Sequence, residues 1–205
     1  MQSQKLYSLI ARFYDLGLLL NGYKGAAARV VKELPFPADA PLRVLDAGCG
    51  TGLYSLAILS RFSNSRIAAF DFNPKMIARI KQNLTNRGLA NRAEVFEADI
   101  LQELSRVSDN FDLIVTGGVL EYVDAGRAIA NLARHLNKNS YFLNAPVKNS
   151  LCGRWVGRWM DFVPYSYHAN VAAFTENNFR LQKQIKIPFY FPISLVKEAH
   201  LFRKL

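Results

Sequence analysis

The chain has 205 residues, half of them apolar and a fifth charged, and 26 basic against 16 acidic residues give a formal net charge of +10. That length supports one full hydrophobic core rather than two, and that composition excludes a disordered or fibrous chain. No apolar run reaches the roughly 18 to 20 residues of a bilayer-spanning helix. Met1–Lys5 lacks the layout of a secretory signal, and Cys49 and Cys152 suggest no disulfide framework. A single-domain cytoplasmic protein, monomer or homodimer, is the expectation. The charge is uneven: residues 1–134 carry 16 basic and 13 acidic groups, whereas residues 135–205 carry 10 and 3. Such a basic C-terminal third suits a solvated face, nucleic acid, an acidic small molecule or an anionic membrane surface.

In chain order, Leu6, Leu9, Ile10, Phe13 and Leu16 have helical spacing and predict a helix over 5–20. A second helix is expected over 23–34, ended by Pro35 and Pro37. Residues 42–46 read as a buried strand, followed by a glycine turn and a helix over 53–62. The alternation continues with a strand at 66–70, a helix at 74–87 opened by Pro74, and strands at 93–98 and 111–116. A helix at 125–136 and a strand at 140–145 follow. Alternating strands and helices imply right-handed crossovers and a doubly wound, mostly parallel α/β sheet. Beyond Pro146 the pattern changes to helices at 150–160 and 169–177, then strand-like segments at 179–191 and 199–204.

In such a sheet, ligands sit beyond the carboxyl ends of the strands, where strand order reverses. The first such end reads Asp46-Ala47-Gly48-Cys49-Gly50-Thr51-Gly52. Glycines there allow a sharp turn and a close ligand approach. The spacing is G-x-G-x-G, with Leu53 where a dinucleotide fingerprint would place its third glycine, and no Gly-Lys-Ser/Thr of a phosphate loop follows. Carboxylates also end three successive strands: Asp46, Asp71 and Asp99. Asp71 suits a ribose diol, Asp46 a ligand ammonium group and Asp99 an exocyclic amine. A helix N-cap is the bland alternative for Asp46 or Asp99 taken singly.

Val44–Gly52 closely resembles the first motif of class I S-adenosylmethionine-dependent methyltransferases. Phe70–Ile77 resembles their ribose-binding segment, Glu97–Ile100 their adenine-binding segment and Phe111–Val115 their fourth strand. The resemblance covers about residues 42–145. It implies a Rossmann-like seven-stranded sheet with a final antiparallel strand, and S-adenosyl-L-methionine as cofactor with S-adenosyl-L-homocysteine as product. Gly48, Gly50 and Gly117 would lie against the methionine part, with Asp46 at its amino group. Asp71 would take the ribose hydroxyls, Phe72 and Met76 would flank the adenine, and Asp99 and the Ile100 backbone would meet its edge. Residues 7–15 resemble a lid helix of small-molecule members, which would bring Tyr7 and Tyr14 over the cofactor. The implied layout is a lid at 1–40, a cofactor core at 41–145 and a pocket cover at 146–205.

Methyl transfer needs an aligned acceptor, a dry site and, for oxygen or nitrogen acceptors, proton removal. Glu121 and Tyr122, just past the fourth strand, and His168 in the expected cover are the candidates for that work. No histidine or cysteine spacing suggests a metal. Trp155, Trp159, Phe162, Tyr165 and Tyr167 lie among Arg154 and Arg158, a mixture that suits a flat, acidic, hydrophobic acceptor, a membrane interface or, more blandly, an ordinary packed helix. The expected acceptor is therefore a small molecule, and peripheral membrane contact stays open. A nucleic-acid acceptor is not expected, because Thr116–Val119 lacks the Asn/Asp-Pro-Pro-Tyr/Phe motif of base amino-methyltransferases. The alternatives are a cofactor-binding protein without transfer, or a membrane-associated lipid, quinone or porphyrin methyltransferase. The segment after Pro146 faintly resembles magnesium-protoporphyrin O-methyltransferases.

Overall fold

The computed structural model describes residues 22–102, 104, 107 and 110–205. The helix expected over 5–20, with Tyr7 and Tyr14, lies outside the described residues. Seven strands form one sheet: β1 (Arg43–Ala47), β2 (Arg66–Asp71), β3 (Ala93–Glu97), β4 (Phe111–Thr116), β5 (Leu136–Asn144), β6 (Phe179–Ile185) and β7 (Ala199–Lys204). Their order is β3-β2-β1-β4-β5-β7-β6. All neighbours are parallel except β7, which runs antiparallel to both β5 and β6. Strand order reverses at β1, where β2 lies on one side and β4 on the other.

Successive residues of the central strands face opposite layers. Val44, Leu113, Val115, Leu143 and Leu201 pack beneath α1 (Tyr23–Lys32), α2 (Leu53–Arg61) and α3 (Pro74–Thr85). Leu45, Ile114, Phe142 and Phe202 pack beneath α4 (Ala125–Ala133) and α6 (Tyr167–Glu176). Burial on both faces explains why these strands read as continuous apolar runs. The second layer is closed by aromatic rings: Phe174 of α6 stacks on Phe202 at 3.9 Å and meets Phe142 edge-on at 4.9 Å. Helix starts follow the caps the sequence offers. The side chains of Asn73, Asp124, Ser150 and Ser166 accept the N–H groups of Lys75, Arg127, Gly153 and Ala169.

Three predicted boundaries move. The helix expected to reach Leu136 ends at Ala133, because Leu136 buries itself by pairing with Phe111 in β5. That strand therefore starts at Leu136 rather than 140, with an irregularity in its register and Asn139 at φ 62°. The strand expected to reach Phe191 stops at Ile185. Pro188 supplies no N–H for the ladder, and the chain turns instead into a short helical turn, Pro192–Leu195. Beyond these, α5 (Leu151–Met160) lies outside both layers.

A polar row crosses the carboxyl ends of β4 and β5 and the amino end of the antiparallel β7. Thr116 pairs with Asn144, and Asn144 with His200. Thr116 Oγ1 donates to Asn144 Oδ1, Asn144 Nδ2 to Asn170 Oδ1, and Asn170 Nδ2 to His200 Nδ1, each at 2.9 Å. Accepting at Nδ1 places the His200 proton on Nε2. These bonds pin α6 and β7 in register, since a one-residue slip would bury every one of the four groups unpaired.

Candidate active site

The carboxyl ends of β1, β2 and β4 open onto a cavity of about 510 Å³. Its floor is the turn from β1 to α2, where Gly48, Gly50 and Gly52 take φ of 70°, 53° and 88°. These are left-handed values that only glycine adopts without strain. Two of the glycines are also closely packed. A Cβ on Gly48 would sit 2.5 Å from Val119 Cγ2, and one on Gly52 would sit 2.5 Å from Ile80 Cγ1. Gly50 has no atom within 4 Å of that position, so its bare face opens into the cavity.

The three strand-end carboxylates line this cavity together. Asp46 is buried, and the Ser55 backbone N–H (3.1 Å) and hydroxyl (2.5 Å) both donate to its Oδ2. It thereby caps the first turn of α2, where Gly52 has no side chain to do so. Burial pushes its carboxyl up to about 6, against the Ser55 hydrogen bonds and with help from the nearby Asp71 charge. Asp71 ties the site together. Its Oδ2 accepts from Gly50 N at 2.9 Å and its Oδ1 from Asn73 N at 3.0 Å. Burial raises it too, and those N–H groups oppose the rise. Asp99 is exposed at the rim, its Oδ1 accepting from Leu101 N at 2.9 Å.

Around the carboxylates, Phe72 stands exposed while Met76 and Ile100 are buried, and all three line the cavity with Gly48, Gly50 and Gly117. Tyr122 lines it as well, its ring 4.9 Å from that of Phe162. Glu121 and His168 are not among the lining residues. Glu121 is buried with its Oε1 accepting from Val147 N at 2.5 Å, and its Oε2 has no hydrogen-bond partner among the described residues. His168 is exposed on the first turn of α6 beside Tyr167.

Four neighbours went unread in the sequence. Tyr23 and Tyr54 are buried and line the cavity, the Tyr54 ring lying against Gly117. Burial holds both phenols well above their ordinary range, Tyr23 further raised by the Glu121 charge and Tyr54 by Tyr23 and Asp46. Met160, at the end of α5, lines the mouth. Lys197 is buried, donates to the Ala145 carbonyl at 3.3 Å and brings its Nζ within 2.5 Å of a Cβ position on Gly118. The only sequence signal for Tyr23 and Tyr54 was an aromatic facing the core side of a helix next to the turn; Lys197 had none.

Comparison with known proteins agrees with this geometry. A family model described as Methyltransferase domain matches residues 44–139. A malonyl-[acyl-carrier protein] O-methyltransferase from Bacillus anthracis is 27% identical over 145 residues, 68% of this chain and 50% of that protein. A tRNA1(Val) (adenine(37)-N6)-methyltransferase from Haemophilus influenzae is 34% identical over 94 residues, 45% of this chain and 40% of that protein. The chain thus spans about half the length of the curated relatives it matches. Among solved structures, an O-methyltransferase family 2 protein from Planctomyces limnophilus, in complex with apigenin, superposes with a TM-score of 0.78. It is 19% identical, and the match covers 95% of this chain and 62% of that one. The family match covers the glycine turn and strands β1 to β4, and the solved structure shares this chain's fold.

Proposed function

We propose that this chain transfers a methyl group from S-adenosyl-L-methionine to an oxygen, nitrogen or carbon of a small hydrophobic or acidic molecule. The observation that carries the reading is the convergence of Asp46, Asp71 and Asp99 on one cavity above a glycine turn at the switch point of the sheet. The residues suit that cofactor. A cavity of about 510 Å³ falls in the range of small-molecule sites, and the open face of Gly50 admits a ligand against the backbone. When bound, the cofactor supplies a methyl group already activated by its sulfonium.

The chain's own residues then bind, orient and exclude water. Asp46 accepts from the ammonium group of the methionine part, and Asp71, held by Gly50 N and Asn73 N, accepts from the ribose hydroxyls. Phe72, Met76 and Ile100 flank the adenine, whose amine Asp99 accepts. Gly48 and Gly117 keep the backbone close to the methionine part. The tyrosines at 23, 54 and 122 give the opposite wall an aromatic surface for the acceptor, and Tyr122 positions it. The relatives are named for a malonyl-[acyl-carrier protein] and for a tRNA adenine, so the shared domain by itself does not fix the acceptor.

The test is calorimetric titration with S-adenosylhomocysteine and, separately, with NAD, on the wild type and Asp71→Ala. Binding of S-adenosylhomocysteine alone, weakened at least tenfold in the variant, supports the reading. A folded protein that binds neither, or NAD alone, overturns it. Binding that persists in a protein inactive on lipid, quinone, porphyrin and phenolic acceptors would favour a cofactor-binding protein without transfer.

A further inference from the structure

Helix α5 carries its large apolar side chains on the wrong side for a packing helix. Leu151, Trp155 and Trp159 follow one another at intervals of four residues, and they are 79%, 71% and 58% exposed. Arg154 and Arg158 run alongside them, also exposed, and neither forms an ion pair among the described residues. The inward face is built from glycine. A Cβ on Gly153 would overlap the Lys148 carbonyl oxygen, and one on Gly157 would sit 2.6 Å from that of Phe162. The helix is thus drawn flat against its own flanking loops by residues without side chains, which leaves both tryptophans to the outside. Of the alternatives the sequence leaves open for these aromatics, Trp155 and Trp159 do not take that of a packed helix.

The apolar surface continues past the helix. Ser150 Oγ donates to the Leu195 carbonyl at 3.0 Å, setting exposed Leu195 at the start of α5 beside Leu151. The loop that carries Leu195 also exposes Phe189 and Tyr190. No helix among the described residues is long and apolar enough to cross a membrane, so this surface is not a span. Exposed tryptophan and leucine at helical spacing, interleaved with arginine and with no acidic residue in the helix, match the chemistry of an interfacial helix. The surrounding charge agrees, since residues 135–205 carry 10 basic against 3 acidic groups.

We propose that this face docks on the surface of an anionic lipid bilayer, with Trp155 and Trp159 at the headgroup boundary and Arg154 and Arg158 on lipid phosphates. Docking would bring the cavity mouth to the membrane, because Met160 and Asp161 at the end of the same helix line it. The surface uses none of the residues of the proposed cofactor site.

The chain's two tryptophans are both on this helix, so intrinsic fluorescence reads the proposal directly. Full-length protein is mixed with vesicles of phosphatidylcholine alone or with 30% phosphatidylglycerol (a composition chosen for its negative surface potential), and binding is measured by sedimentation. A blue shift and co-sedimentation with the anionic vesicles, in wild type and in each of Trp155→Phe and Trp159→Phe, is the expected result. Arg154→Gln with Arg158→Gln should weaken partition about 30-fold, at roughly fivefold per basic residue, with the melting temperature unchanged. Unchanged emission in a folded protein, or equal binding to both vesicles, overturns the proposal. So does emission that is already blue in a protein shown to be dimeric by ultracentrifugation, since a second copy would then cover the face. S-adenosylhomocysteine binding is measured separately, so failure here leaves the cofactor reading untouched.

Discussion

Alanine placed at the glycines of the β1–α2 turn separates folding from ligand binding. All three positions have positive φ, where a residue with a Cβ costs about 1–2 kcal/mol, partly offset by the lower entropy of its unfolded chain. At Gly50 that is the whole cost, because the new methyl meets no atom within 4 Å. At Gly52 it strikes Ile80 at 2.5 Å, and Ile80 is fully buried and stiff at χ1; overpacking of this kind adds about 1–3 kcal/mol. For a domain of this size each kcal/mol lowers the melting temperature by roughly 2–4 °C. Gly50→Ala is therefore expected to melt about 2–4 °C below wild type and Gly52→Ala about 6–12 °C below it. Binding runs the other way. Gly50 lines the cavity and Gly52 does not, so Gly50→Ala should lose at least tenfold in S-adenosylhomocysteine affinity, while folded Gly52→Ala at low temperature keeps most of its own. Scanning calorimetry and titration calorimetry read the two quantities. Wild-type affinity in Gly50→Ala, or a larger melting shift there than in Gly52→Ala, would refute the account of the turn.

Three further outcomes follow from buried charge. Asp46 titrates near pH 6 and a ligand ammonium favours its charged form, so S-adenosylhomocysteine affinity should fall as pH drops below 6. Titration at pH 5.5 in two buffers of different ionisation enthalpy should show a proton released on binding, and a pH-independent affinity would count against the Asp46 contact. Burial lowers His200 from 6.5 to about 4. The unfolded chain therefore takes the proton first on acidification, and about 3 kcal/mol of stability is lost as pH falls from 6.5 to 4; His200→Gln should flatten that decline in urea unfolding, and an unchanged slope would exclude His200 as its source. The Arg92 guanidinium donates to the carbonyls of Leu59, Phe62 and Ser65 and to the Ser65 hydroxyl. Arg92→Ala should cost about 2–4 kcal/mol, and Arg92→Lys should not restore it because the fork is lost; full rescue by lysine would refute the geometry.

The carboxylates and glycine turn of the candidate site were legible because a parallel sheet delivers its strand ends to one edge. Asp46 and Asp71 follow apolar runs directly and Asp99 lies two residues past β3, so reading the strands was enough to bring the carboxylates together. The glycine turn is likewise contiguous. The acceptor side has no such grammar. Tyr23, Tyr122, Met160 and Lys197 come from α1, the turn after β4, α5 and the approach to β7, and no spacing in sequence relates them. The moved boundaries have the same cause. Leu136 fits the period of the preceding helix as well as it fits a strand, and only its pairing with Phe111 decides. The tryptophans of α5 were weighed as core because large aromatics usually are. What decided otherwise is the pair of glycines on the opposite face, whose packing cannot be read without the Lys148 and Phe162 carbonyls.

The segment leaving β5 shows how the acceptor side is held. Glu121 Oε1 accepts from Val147 N, and Lys197 donates to the Ala145 carbonyl two residues earlier. A buried anion and a buried cation thus grip one stretch of backbone without forming a direct ion pair. The two charges are expected to offset each other through the peptide between them, so that removing one leaves its partner uncompensated in a medium of low dielectric. Glu121→Gln and Lys197→Met keep the side-chain volumes, so each single change should cost about 1–3 kcal/mol through charge rather than packing. The double variant should lose at least 1 kcal/mol less than the sum of the two single losses in a urea double-mutant cycle. Simple additivity would mean that the two charges do not sense each other, and that the loop after β5 is held by its hydrogen bonds alone.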